Sequence, residues 1–134
     1  MRINSKYCRT RLSIGFFLCL VYAVAGADPT SIPSVAPKEA AAMQTTKKAI
    51  IVDVREDNEW QEQHIPGAIH IPLGQLNARL AELNRYKNST IITQCRSGRR
   101  SAQALEVLKS AGFTQIYNMN GGLTAWTNAG LSTE

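Results

Sequence analysis

The chain has 134 residues, 44% hydrophobic and 19% charged, a composition that supports one globular core and excludes fibrous, collagenous and generally disordered classes. Its 15 lysines and arginines against 10 acidic residues give a formal net charge of +5, but four of the basic residues (Arg2, Lys6, Arg9 and Arg11) and none of the acidic ones fall in residues 1–27. Residues 28–134 therefore carry 11 against 10, a net of +1, which gives no ground for nucleic acid or an anionic membrane as partner.

In chain order, a basic segment is followed by an apolar run over 12–25 and by Ala25-Gly26-Ala27 before Asp28. That order reads as a signal peptide, 1–27, cleaved after Ala27, with no stable membrane insertion afterwards. An uncleaved anchor is the alternative reading of the same run, which is short for a bilayer span. Removing the leader removes Cys8 and Cys19 and leaves Cys95 as the remaining cysteine, so no internal disulfide is available. Residues 28–36, with Pro29 and Pro33, read as an irregular lead-in, and one domain is expected over 37–134.

Pro37 suits the first turn of a helix over 38–44. Residues 49–54 form an apolar, β-branched run of the kind buried on both faces of a sheet. A short helix around Trp60 is expected over 56–63, a turn at His64-Ile65-Pro66-Gly67, and a short strand over 68–71 closed by Pro72. Leu73, Leu76, Leu80 and Leu83 fall at three- and four-residue spacings, which predicts an amphipathic helix over 74–83. A strand over 90–94 leads into Cys95, a helix over 101–111 stops at Gly112, and a last strand covers 115–118. Gly121-Gly122 is a turn before a helix over 123–129. Strands that alternate with helices imply an α/β fold with a largely parallel central sheet flanked by helices on both faces. Sites in such sheets collect at the carboxyl ends of strands, and Cys95 lies at one.

The segment Cys95-Arg96-Ser97-Gly98-Arg99-Arg100 joins that strand to the next helix. Gly98 lets the backbone curl so that amide N–H groups can turn inward, and a helix amino terminus behind them adds to an anion-binding nest. A free thiol titrates near pH ~8.5 and is only a few per cent ionised at neutrality; such a field favours the nucleophilic thiolate. Ser101 can cap the helix or lend its hydroxyl to the loop. Burial alone would explain a small apolar cysteine, but not three arginines crowded beside it.

The chain resembles the rhodanese-like domains from about Pro37 onward. The resemblance rests on Asp53-Val54-Arg55-Glu56 with Trp60, on the stretch from His64 through Pro66-Gly67 to His70 and Pro72, and on the loop Cys95–Arg100 with Gly121-Gly122 and Trp126 downstream. With a leader and one domain it is similar to the small periplasmic members. The resemblance implies a sulfurtransferase in which Cys95 is catalytic and carries a persulfide, thiosulfate being the donor and cyanide or a thiol the acceptor. Arg96, Ser97, Gly98, Arg99 and Arg100 would bind the substrate. No cofactor and no metal are expected, and a monomer is the default for a domain of this size. Ser97 stands where some thiosulfate-using members are basic, which leaves the donor open, and a persulfide carrier or binding module without rapid turnover is the alternative. Phosphatases of related fold need an arginine after five intervening residues, a position held here by Ser101, and Gln94 replaces the histidine that usually precedes their cysteine. Asp53 and Arg55 sit where the family keeps a structural ion pair. His64 and His70 lack ligand partners at metal spacing, Trp60 and Trp126 read as packing aromatics, and no nucleotide-binding glycine loop is present.

Overall fold

Two strands, β2 (Ile50–Asp53) and β4 (Ile91–Gln94), have almost no exposed face, and the architecture is arranged to cover both sides of each. The computed structural model describes residues 31–134; the leader with Cys8, Cys19 and its cleavage site, and the start of the lead-in, lie outside the described residues. β2 and β4 pair in parallel with Ile50 opposite Ile91 and Asp53 opposite Gln94. β3 (Ile69–His70) adds beyond β2, while β5 (Ile116–Met119) and then β1 (Ser34–Val35) add beyond β4. The order is β1-β5-β4-β2-β3 and every pairing is parallel.

Alternate side chains leave opposite faces of a strand, and two cores result. Val52 and Ile91 join Leu76 and Leu83 and the Ala104, Leu105 and Leu108 stripe of α4 (Arg99–Ser110). Ile51 and Ile92 join Ala40 and Met43 of α1 (Pro37–Thr46) and Leu123 and Trp126 of α5 (Gly122–Asn128). The expected α/β sheet with helices on both faces is what the chain forms. α2 (Asp57–Glu62) covers neither core; it is held by a capping box in which Glu56 and Glu59 satisfy each other's backbone amides.

Two local expectations change. Part of the expected irregular lead-in pairs into the sheet, because Asn118 and Asn120 donate backbone hydrogen bonds to the carbonyls of Pro33 and Val35 and thereby recruit an edge strand. The expected helix over 74–83 is divided into a 3-10 turn at Leu73–Gln75, α3 (Leu76–Arg79) and a 3-10 stretch at Leu80–Tyr86. Leu80, Leu83 and Tyr86 recur every three residues, and a 3-10 helix, with three residues per turn, keeps all three against the first core.

The topology also locates a crevice. After β2 the chain moves outward to β3, and after β4 it moves the other way to β5, so the loops leaving these two neighbouring strands diverge. The gap between them is the switch point at which α/β sheets bind ligands. Cys95 follows β4 and Arg55 follows β2 at this place. Because Ile51 is 0% exposed in the second core, Ile51→Ala is expected to cost about 2–5 kcal/mol. Glu106→Ala, on an exposed turn of α4, should stay within about 0.5 kcal/mol. Urea unfolding with an unchanged slope measures both.

Candidate active site

The loop after β4 is shaped by where its peptide groups point. The carbonyls of Cys95 and Arg96 face outward and accept from the Leu123 and Thr124 amides in the first turn of α5, at 2.8 and 3.1 Å. That approach is possible only because residue 122 is glycine: a Cβ there would lie 2.2 Å from the Cys95 oxygen. With the carbonyls turned away, the amides turn in, and the Gly98 N–H donates to Cys95 Sγ at 3.1 Å. Gly98 itself has φ 101°, a left-handed conformation that L side chains avoid, and it forms the N-cap of α4. The amino end of that 12-residue helix therefore stands directly behind the sulfur.

Ser101 lends its hydroxyl to the loop instead of capping the helix. Its Oγ lies 3.4 Å from Cys95 Sγ and 2.6 Å from Asn118 Oδ1, and Asn118 Nδ2 in turn donates to the Gly98 carbonyl at 3.1 Å. Asn118, on β5, thus fixes both the hydroxyl and the curl of the loop. Nothing local in its strand signals that role, which comes from its register opposite Thr93. Cys95 is only 1% exposed. Burial pushes its thiol up, and the hydrogen bonds of the Ser101 hydroxyl and of the Ser101, Ser97 and Gly98 amides outweigh that push, leaving it below the ordinary thiol value.

The end of the loop nearest Cys95 is tied to the strand next door, and its far end to the helix that follows that strand. Asp53 accepts from the Arg55 amide and Nε, from Arg55 Nη2 at 2.6 Å, and from Gln94 Nε2 at 2.6 Å. The structural pair implied by the family resemblance is present, and it grips the residue immediately before Cys95. Arg55 also donates to the carbonyls of Glu59 and Gln63, fixing α2. From α2 the Glu59 carboxylate takes both terminal nitrogens of Arg100, at 2.6 and 2.8 Å, and so holds the far end of the loop. This contact spans 41 residues of sequence, so no spacing rule could have exposed it.

The candidate arginines diverge. Arg96 is exposed on the wall of a cleft it shares with Arg55, Glu62, Thr124 and Thr127. Ser97 and Arg99 are also exposed, while Arg100 is half-buried against Glu59. Trp60 is stacked between His64 and His70, with ring centroids 3.7 and 4.7 Å away. His64 Nδ1 lies 2.9 Å from the Trp60 carbonyl and His70 Nε2 lies 2.8 Å from that of Arg55. These rings stiffen α2 against the turn that follows it.

Comparison with known proteins points the same way. Residues 36–129 match the family described as Rhodanese-like domain. The putative sulfur carrier protein YrkF of Bacillus subtilis is 46% identical over 77 residues, 58% of this chain and 40% of that protein. The thiosulfate sulfurtransferase PspE of Escherichia coli is 40% identical over 70 residues, 52% of this chain and 67% of that protein. Among solved structures, a thiosulfate sulfurtransferase from Pseudomonas aeruginosa gives a TM-score of 0.70 at 32% identity, covering 77% of this chain and 20% of that one. A rhodanese-related protein from Thermoplasma volcanium gives 0.69 at 26% identity, covering 76% and 97%.

Ser101→Ala removes one donor to the thiolate while leaving the amide nest, so the thiol should become less acidic. The pH at which iodoacetamide alkylation of Cys95 reaches half its maximal rate is expected to rise. A midpoint that stays put or falls would mean the hydroxyl serves Asn118 alone.

Proposed function

Since the chain belongs to the rhodanese-like domain family, we propose that it is a sulfurtransferase moving a sulfane sulfur from thiosulfate, or a related donor, to cyanide or a thiol through a persulfide on Cys95. The observation that carries this reading is the cradle around one sulfur: inward amides, a serine hydroxyl and a helix amino terminus on a buried thiol whose acidity they raise. A cysteine kept only for packing would need none of these.

In the proposed reaction the Cys95 thiolate attacks the outer sulfur of thiosulfate. The bond from that sulfur to the sulfonate sulfur breaks, its electron pair leaves with sulfite, and a persulfide anion remains on Cys95. Cyanide or a thiolate then attacks the outer sulfur, taking it away and returning the cysteine as thiolate. Charge balances at each step without an oxidant or a cofactor. The Ser97 and Gly98 amides would receive the charge of the persulfide, as preorganised donors do in oxyanion sites. Arg96 and Arg99 would draw the donor in and Arg100 would close the ring. The acting unit is proposed to be one domain, 37–134, working as a monomer. The proposed compartment is the periplasm, on the strength of the basic, apolar and small-residue order of 1–27; no helix among the described residues is long and apolar enough to cross a membrane.

A persulfide carrier that turns over slowly alone is the second reading. The near-complete burial of Cys95 and the name of the Bacillus subtilis relative favour it. Thiocyanate release from thiosulfate and cyanide separates the two. Repeated turnover in the wild type, with Cys95→Ser at background, supports the enzyme. A gain of one sulfur on Cys95 by intact mass, without repeated turnover, supports the carrier. Equal release from both proteins would overturn either role for this sulfur.

A further inference from the structure

Three arginines crowd the loop, yet they do not present three equivalent charges to a ligand. Arg96 and Arg99 have no ion pair among the described residues, whereas Arg100 is matched by Glu59 through two hydrogen bonds of 2.6 and 2.8 Å. A guanidinium recognises a carboxylate and a tetrahedral oxyanion through the same kind of two-toothed edge, so a carboxylate seated on the Nη1/Nη2 edge denies that edge to an oxyanion and neutralises the charge that would attract one.

We propose that Glu59 is a specificity-determining residue that holds Arg100 as an internal ion pair, leaving the donor anion to the exposed Arg96 side of the cleft and preventing sulfate-like dianions from being gripped inside the loop. The proposal rests on the sulfurtransferase reading for its purpose: the sulfite expelled in the first step is itself a dianion, and a third guanidinium facing it would retain it.

Glu59 is well fixed for this task. Its carboxylate also accepts from the Glu56 amide at 3.2 Å, and its carbonyl accepts from Arg55, which the buried Asp53 holds in turn. Swinging the carboxylate away from Arg100 would therefore disturb the capping box of α2 as well as the pair. The pair is also insensitive to working pH. The hydrogen bond from Arg100 is the main cause of a Glu59 carboxyl lowered to about 2, and the same bond raises Arg100 above its ordinary value, so both partners stay charged through neutrality.

Calorimetric titration with sodium sulfate tests the idea in the full chain, alongside KM for thiosulfate. Glu59→Gln keeps the shape of the side chain and removes its charge, which frees the Arg100 fork. Sulfate is expected to bind about tenfold tighter, as a charge-assisted bidentate contact would give. KM for thiosulfate should fall with it, while kcat stays level or drops because sulfite leaves more slowly. Adding Arg100→Gln to that variant should remove the gain. A folded Glu59→Gln protein that binds sulfate no tighter than wild type overturns the proposal, as does a gain that survives loss of Arg100. Should Glu59→Gln fail to fold, guanidinium resonances of the wild-type protein decide: sulfate should shift those of Arg96 and leave those of Arg100 in place, and the reverse pattern sinks the idea. Tighter sulfate binding in Glu59→Gln with no thiosulfate turnover in any variant would mark a failure of the sulfurtransferase reading alone.

Discussion

The active loop depends on a charge that it does not contain. Asp53 is a fully buried carboxylate, tolerable only because Arg55 and Gln94 surround it with donors. Through those contacts one residue at the end of β2 joins the residue before Cys95 to the helix that carries Glu59 and, through Glu59, to Arg100. The loop is a ring closed from outside, one end fixed to a neighbouring strand and the other to the helix that follows it.

Within that ring the sulfur sits under opposed demands. Burial disfavours a charged thiolate, and a cluster of neutral donors more than restores it. Amides are suited to this because they are fixed by the backbone and need no reorganisation to meet a negative charge. The acidity of the thiol comes from the ring, and the exposed guanidinium groups of Arg96 and Arg99 stand outside it. This division explains why the loop can hold a deeply buried sulfur beside a charged, water-facing cleft.

Much of this was legible in the sequence because it is local. The apolar runs that became β2 and β4, Pro37 at the start of α1, Gly98 at a sharp curl and the position of Cys95 at a strand end all follow from neighbours within a few residues. β1 was not legible, since a two-residue edge strand is made by the carbonyls of Pro33 and Val35 meeting amides of β5 far along the chain. The leucine spacing marked which face of 73–86 is buried but could not choose between windings of 3 and 3.6 residues per turn. Glu59 and Asn118 carry no motif of their own. Each acts on the loop across a long separation, 41 residues in one case and 17 in the other, where only the assembled sheet brings partners together.

The seat of Leu123 and Thr124 on the loop carbonyls makes the cradle of the sulfur conditional on α5. Were α5 to lift away, the Cys95 and Arg96 carbonyls would lose the two amides that hold them outward. Local opening of that short helix would therefore disarm the thiol while the sheet stays paired.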